Sequence, residues 1–174
     1  NALIQQKMAR TGLITTSGFR DILELREGLK ESRYDYTAPP PKPLVLRRHR
    51  RVVRERVNRY GEILESLDEA DVIDAAAMLG REGIEAIAVC LLWSIRNPVH
   101  EQRVRAILER ELPGIPVFLS SEVAPQIREY PRFSTTALCA ALAPLLHDFL
   151  GMLENNISNA GFDRAIRYIQ CNGG

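Results

Sequence analysis

Cysteine is scarce in this sequence, and the cysteines that occur lack a recognisable spacing. They are Cys90, Cys139 and Cys171. An odd number without paired spacing argues against a disulfide framework and against a zinc site. Cys90 lies in the apolar run of residues 87–92, where a small buried side chain is expected. The expected compartment is therefore reducing and cytoplasmic.

An excess of one charge and long apolar runs are also lacking. The chain has 23 basic and 22 acidic residues, a net charge of +1. This balance gives no reason to expect nucleic acid or a membrane as a partner. No uninterrupted apolar run approaches the ~20 residues that a membrane-spanning helix needs. What is present is a 174-residue chain, 45% hydrophobic, which can bury the core of one domain or a domain and a half.

The order of apolar runs predicts an α/β fold. Thr11–Thr16 is short and β-branched, which indicates a buried strand. Residues 84–92 are almost continuously apolar, which is typical of a central strand covered on both faces. Asn97 and Pro98 predict the start of a helix that runs to about residue 112, and residues 115–119 predict another strand. Strand, helix and strand in this order indicate a right-handed parallel crossover.

A β-hairpin is predicted between residues 44 and 67, because two strand-like runs flank Asn58-Arg-Tyr-Gly61. Asp68 is the expected N-cap of a helix over residues 69–81. That helix is predicted to bury one apolar face, made of Val72, Ile73, Ala76 and Leu79. The predicted fold class is therefore α/β, with a mixed sheet that includes a βαβ crossover and the hairpin.

The last third of the chain is predicted to hold two helices, residues 135–142 and 145–160, on either side of Pro144. A final strand is predicted over residues 165–170. The chain begins without a Met and stops after Asn172-Gly-Gly, a turn sequence that normally leads to further structure. We therefore expect a fragment of a longer polypeptide.

Three segments could carry chemistry. The polar loop after residue 119 follows a predicted parallel strand, where α/β folds place their ligand sites. Its charged and hydroxyl groups could hold an anionic substrate or a phosphate at a helix start, and a surface loop with ion pairs is the equal alternative. The candidate residues of this loop are Glu122, Arg128, Glu129, Arg132, Ser134 and Thr135.

The second segment is a strand end that leads into a helix start, where Thr15, Thr16 and Arg20 could bind an anion. A simple turn before a capped helix is the commoner explanation. The third is the basic run of residues 47–51, which could bind phosphates or a partner. A solvated strand with outward arginines explains that run better, because such a strand discourages edge pairing.

Several segments, taken together and in order, resemble the hydantoinase A and oxoprolinase family. This family includes N-methylhydantoinases and the ATP-dependent acetone and acetophenone carboxylases. The resemblance covers essentially the whole chain. The segments that carry it are Thr15–Leu25 (TTSGFRDILEL), Lys42–Val45, the hairpin of residues 55–62, Cys90–Ser94, Asn97–Glu101, Leu119–Val123, Arg128–Arg132, Ser134–Thr136 and Gln170–Gly174. Trp93 departs from the family, many members of which have His there.

The resemblance implies an actin-like ATPase (ribonuclease H-like) fold and cytoplasmic, ATP- and Mg²⁺-dependent chemistry. It implies an enzyme that opens a cyclic amide of the hydantoin or oxoproline type, or else a subunit of a ketone carboxylase. A non-catalytic phosphate- or partner-binding module is the alternative from another class. The resemblance also implies a second, hydantoinase B-type subunit or domain as partner.

The same resemblance assigns residues 1–130 to part of an N-terminal hydantoinase/oxoprolinase domain and residues 131–174 to the start of the catalytic domain, both incomplete. The family's phosphate loops then lie outside this chain, so the fragment alone is expected to be inactive. Asn172 and Gly173 join the candidate contact residues, because they belong to a matching segment.

Overall fold

The core of the protein is a parallel β-sheet, as seen in a computed structural model that describes residues 5, 8–28, 37 and 42–169. The strands are β1 (Thr11–Thr16), β2 (Arg50–Val53), β3 (Arg56–Val57), β4 (Ile63–Glu65), β5 (Ala86–Cys90) and β6 (Val117–Leu119). Four of them form one sheet in the order β2-β1-β5-β6, and each neighbouring pair is parallel. The predicted crossover is confirmed.

Helices cover both faces of this sheet. They are α1 (Ile22–Leu25), α2 (Glu69–Arg81), α3 (Val99–Glu111), α4 (Ser120–Val123) and α5 (Glu129–Asn159). Successive side chains of a strand point to opposite faces. Accordingly Ile14 and Val89 pack with α2 and α3, whereas Leu13 and Cys90 pack with α5. The molecule therefore has two apolar cores, one on each side of the sheet.

The predicted central strand is confirmed in β5, whose five residues are all fully buried. It pairs with β1 on one side and with β6 on the other. A strand with two neighbours and two covered faces needs apolar side chains throughout, because no position along it meets water.

The two predicted helix starts are also present. The Asp68 side chain accepts a hydrogen bond from the amide of Ala70 at 2.9 Å and so caps α2. The Asn97 side chain accepts from the amide of Val99 at 3.2 Å, two residues after Asn97. Ile73, predicted to be buried in α2, is 39% exposed. That prediction is wrong because Ile73 lies outside the arc of α2 that faces the sheet.

The predicted hairpin forms as β3 and β4, but these strands make a separate two-stranded antiparallel sheet. The prediction of one mixed sheet is therefore wrong. The first strand-like run divides, because β2 joins the edge of the parallel sheet while β3 turns away to pair with β4.

The two predicted helices around Pro144 are one helix, α5, with Pro144 inside it. Proline removes one backbone hydrogen bond, but the turns on either side retain theirs. The first half of α5 is also held by fully buried contacts with the sheet at Phe133, Ala137 and Ala140. The predicted break is therefore wrong.

Because α5 continues through Pro144, it is long and apolar enough to cross a membrane by length and composition alone. No other helix among the described residues is. The sequence analysis expected no such segment because no uninterrupted apolar run approaches the required length. The half of α5 beyond Pro144 is largely exposed in the described structure. The predicted strand over residues 165–170 is not formed at residues 165–169, and residue 170 lies outside the described part.

Candidate functional site

Buried polar side chains meet at the carboxyl edge of the parallel sheet. Four of them lie at or shortly after the ends of β1, β2, β5 and β6, and two come from the first turn of α3. Parallel α/β sheets form their ligand sites at this edge, where the carboxyl ends of neighbouring strands meet. Each of these residues is at most 7% exposed. We call them the edge cluster: Thr16, Glu55, Ser94, His100, Glu101 and Ser120.

Glu55 connects three elements within the edge cluster. Its carboxylate accepts a short hydrogen bond from the Thr16 hydroxyl and another from Nδ1 of His100 at 2.8 Å. The Thr16 oxygen in turn accepts from the amide of Leu92 at 3.0 Å. This chain of contacts fixes the ends of β1 and β5 relative to the segment that follows β2.

Glu101 is fully buried and accepts hydrogen bonds from the loops that leave β5 and β6. One carboxylate oxygen accepts from the Leu91 amide at 2.9 Å and from the Ser120 hydroxyl at 2.6 Å. The other accepts from the amide and the hydroxyl of Ser121, at 2.9 and 2.7 Å. Four donors satisfy the buried charge, as burial of a carboxylate requires. The oxygens of Glu101 are thus fully occupied within the protein.

Arg132 approaches the edge cluster from the opposite face of the sheet. It is 2% exposed and its Nη2 donates to the carbonyl of Leu91 at 2.8 Å. Within the described residues neither Nε of Arg132 nor the hydroxyl of Thr15 has a hydrogen-bond partner. Both lie near Cys90 on the α5 side. Burial, aided by the charge of Glu101, raises the pKa of the Cys90 thiol well above its usual value, while Arg132 opposes the rise.

The other candidates from the loop after β6 do not join the edge cluster. Glu122 forms an ion pair with Arg105 of α3. Arg128 is exposed and lies 3.4 Å from a carboxylate oxygen of Glu27. Glu129 is the first residue of α5 and half-buried. Of the four charged residues predicted here, only Arg132 contacts the ends of the strands.

The helix start predicted beside Ser134 and Thr135 is wrong, because α5 begins at Glu129. Both residues lie in its second turn, and their contact with an anion stays a prediction. The early start is possible because Pro131 stands in the first turn, where a missing amide costs nothing.

The predicted anion site around Thr16 and Arg20 is occupied by internal contacts. The Thr16 hydroxyl donates to Glu55, and the amide of Ser17 donates to the carbonyl of Val53 at 2.9 Å. Arg20 donates to the carbonyl of Arg47 at 2.9 Å. The Thr15 hydroxyl and Nε of Arg20 keep no hydrogen-bond partner among the described residues, so an anion contact at this turn stays a prediction. Asn172 and Gly173 lie outside the described residues.

The arginine run is largely neutralised by carboxylates. Arg47 pairs with Asp21 at 3.0 Å, which lowers the pKa of that carboxyl. Arg50 is fully buried and pairs with Glu24 at 3.1 Å. The expectation of outward arginines is wrong for Arg50, because it packs beneath α1. Arginines that are already paired with carboxylates attract a polyanion less strongly. This run therefore gives little support to the alternative of a phosphate-binding module.

Sequence reasoning did not single out Glu55, Glu101 or Ser120 for the edge cluster. Their signal was weak because each is an ordinary polar residue just beyond an apolar strand or at a helix start. His100 and Glu101 lie in the first turn of the helix that was predicted to start near Asn97. A helix start beside the end of a central strand was the signal from which their place in the site could have been predicted. In the described part of the chain no three His, Cys, Asp or Glu side chains are placed to hold a metal ion.

Comparison with known proteins shows one consistent similarity. Residues 1–112 match the family model described as the hydantoinase/oxoprolinase N-terminal region. The chain is 40% identical over 176 residues to the caprolactamase subunit alpha of Pseudomonas jessenii, covering 100% of this chain and 25% of that protein. It is 34% identical over 187 residues to the acetophenone carboxylase gamma subunit of Aromatoleum aromaticum, covering 100% of this chain and 26% of that one.

The fold is similar as well. The crystal structure of the ATP-dependent caprolactamase from Pseudomonas jessenii matches with a TM-score of 0.92 and 40% identity, covering 100% of this chain and 26% of that chain. The present chain thus spans about a quarter of the length of these relatives. Several relatives are named as subunits, so they work in multi-subunit enzymes.

Proposed function

Because the chain belongs to the hydantoinase/oxoprolinase family, we propose that the full-length protein opens the ring of a cyclic amide in an ATP-dependent hydrolysis. The observation that carries this proposal is the similarity to an ATP-dependent caprolactamase, which extends over the whole chain in both sequence and structure. We propose a cytoplasmic enzyme with a second, hydantoinase B-type subunit. We also propose that the complete fold is actin-like.

The proposed chemistry begins with transfer of the γ-phosphoryl group of ATP to the carbonyl oxygen of the amide. Water then adds to the activated carbon, the C–N bond breaks and the ring nitrogen takes a proton. A second water releases phosphate and leaves a carboxylate. Such a transfer calls for cations and aligned donors around the phosphoryl group.

Few polar groups of the described residues are available to hold ATP or Mg²⁺. In the turn after β1 the Thr16 hydroxyl and the Ser17 amide are used internally, and the oxygens of Glu101 are already engaged by donors of the chain. We therefore place the phosphate loops and the metal outside this chain. The residues of the edge cluster would act by fixing the loops that border the cleft.

Arg132 and Glu129 remain the predicted residues closest to such a cleft. Arg132 holds the carbonyl of Leu91 and leaves its Nε without a partner among the described residues. Glu129 stands one turn earlier on the same helix. The predicted domain boundary at residue 130 stays a prediction.

A ketone carboxylase subunit is the second candidate. It is favoured by the 34% identity to an acetophenone carboxylase subunit over the whole chain. In that chemistry the phosphorylated species is an enol, which couples to a carboxylating species instead of meeting water.

The test uses the full-length protein with its partner subunit. With ATP and a cyclic amide such as caprolactam, hydantoin or 5-oxoproline, we expect a ring-opened product and phosphate in equal amounts, and no product without ATP. The 174-residue chain alone serves as a control and is expected not to release phosphate. Carboxylation of acetone or acetophenone with bicarbonate, together with no ring opening, would reject the hydrolase in favour of the second candidate.

A further inference from the structure

A groove of about 510 Å³ opens beside the edge cluster. One wall is the turn of the β3–β4 hairpin, with Arg59 and Tyr60. The other is the loop after β5, with Trp93 and Arg96, and Ile127 also lines the groove. Trp93 directly precedes Ser94 of the edge cluster. We call this feature the cationic groove.

The two guanidinium groups of the cationic groove are not neutralised. Among the described residues neither Arg59 nor Arg96 forms an ion pair, and the groove lining contains no carboxylate. Six exposed arginines elsewhere in the described part have an acidic partner, whereas Arg10, Arg81, Arg164 and Arg167 form no ion pair there. The paired six are Arg47, Arg48, Arg54, Arg103, Arg110 and Arg128. The groove therefore carries two positive charges without an acidic partner among the described residues. Arg59 is engaged within the groove, since its guanidinium lies 4.7 Å from the centre of the Tyr60 ring and donates to the Tyr60 hydroxyl.

Trp93 is held in an unusual conformation. Its φ is +53°, a left-handed value that is an outlier for a bulky side chain. The turn is maintained because the Trp93 carbonyl accepts from the amides of Arg96 and Asn97, at 2.8 and 3.2 Å. Residues in such conformations concentrate at functional sites, where the surrounding structure holds them in place.

The two walls are tied together before any ligand arrives. The side-chain amide of Asn97 donates to the carbonyl of Gly61 at 2.9 Å. The Asn58 side chain accepts from the amides of Tyr60 and Glu62, at 2.9 and 3.0 Å, and so shapes the hairpin turn. A preformed site loses less entropy when it binds.

From these observations we propose that the cationic groove binds a small molecule that combines a flat ring with a carboxylate. The guanidinium groups match the geometry of a carboxylate. The indole of Trp93 offers a face on which a ring can stack, and so does the side of the Tyr60 ring that Arg59 does not cover, since Tyr60 is 70% exposed. A neutral ring would leave both cations unpaired, and a bare anion would leave the aromatic faces uncovered. The proposal concerns binding by this chain and does not depend on the proposed hydrolysis.

The test exploits the fact that Trp93 is the only tryptophan in the sequence. Its fluorescence reports directly on the groove when the 174-residue chain is titrated with benzoate, which has both ring and carboxylate. Benzamide, with the ring but no charge, and acetate, with the charge but no ring, are the matched probes. We expect a saturable change with benzoate, and affinities for the other two that are at least about tenfold weaker because each lacks one contact type.

The double variant Arg59→Gln/Arg96→Gln should weaken benzoate binding by at least about tenfold, while Arg81→Gln, at an exposed arginine on α2, should bind as the unmodified chain does. Far-ultraviolet circular dichroism confirms that each variant is folded. The proposal is overturned if benzamide binds as tightly as benzoate, if the double variant keeps its affinity, or if no probe changes the fluorescence. Tighter, arginine-dependent binding of AMP would assign the groove to a nucleotide and would also overturn it.

Discussion

Glu101 shows how a single residue can position several loops. Its two oxygens receive four hydrogen bonds from three residues that lie beyond the ends of β5 and β6. A buried carboxylate is tolerated only when it is satisfied in this way. The same network therefore explains why the charge is stable and why the loops have a fixed path.

Glu101→Ala should destabilise the protein by about 3–5 kcal/mol, because it leaves buried donors without an acceptor. Chemical denaturation followed by circular dichroism measures the change. Glu109→Ala is the matched control on the same helix, at an exposed position, and should change the free energy of unfolding by less than about 0.5 kcal/mol. Equal stability of the two variants would show that the Glu101 network contributes nothing.

Arg132 requires a revised expectation. As a candidate contact residue of the loop after residue 119, Arg132 is expected to affect catalysis when it is replaced by Ala. The structure shows Arg132 almost fully buried and bonded to a backbone carbonyl. Its removal therefore costs stability as well, since a truncated buried cation leaves a cavity and an unpaired carbonyl.

At the scale of elements, β5 determines where the two cores meet. It is the central strand, and its side chains alternate between the α2–α3 core and the α5 core. The loop that leaves it carries both Ser94 of the edge cluster and Trp93 of the cationic groove. A change in β5 therefore affects the packing and, through the loop, the position of the candidate site.

Val89→Asp should destabilise the protein by roughly 4 kcal/mol or more, since it buries an unpaired charge in the α2–α3 core. The thermal midpoint of unfolding provides the measurement. Ile63→Asp makes the same chemical change in β4, where the side chain is 47% exposed, and should have little effect. A midpoint for Val89→Asp equal to that of the unmodified chain would contradict the buried position of the strand.

At the scale of the whole molecule, ion pairs link elements that are distant in sequence. Arg54 bonds to Asp71 at 2.8 Å, and Arg103 bonds to Glu69 at 2.7 Å. These hydrogen bonds lower the pKa values of Asp71 and Glu69 below their usual values of 3.8 and 4.5. The pairs connect the edge of the sheet to α2 and α2 to α3.

Acid should weaken these links. The folded-state pKa values are depressed, so the stabilisation is present above the unfolded-state values near 4 and is lost as the pH falls through the folded-state values. We expect the thermal midpoint to fall modestly below about pH 4, because the pairs are partly exposed. Asp71→Asn should reduce this pH dependence, whereas Asp74→Asn, an exposed control on the same helix, should not. Identical acid profiles for both variants would refute the assignment to Asp71.

The sequence by itself determined the elements that a clear local signal marks, such as an apolar run, a helix cap or a turn sequence. The apolar run of residues 84–92 predicted the central strand, Asp68 and Asn97 predicted helix starts, and Asn58–Gly61 predicted the hairpin. The ordered set of matching segments also identified the family, because many short identities in a fixed order are specific even when none is decisive.

Only the tertiary structure decided which polar residues meet. Glu55 follows β2 whereas His100 and Glu101 lie on α3, and their contacts depend on the order of the strands and on where each loop turns. Packing against the sheet likewise decided that α5 continues through Pro144, since burial at Phe133, Ala137 and Ala140 outweighs one missing hydrogen bond. Local patterns report the preferences of neighbouring residues, whereas a site at a sheet edge is assembled from residues that are dozens of positions apart.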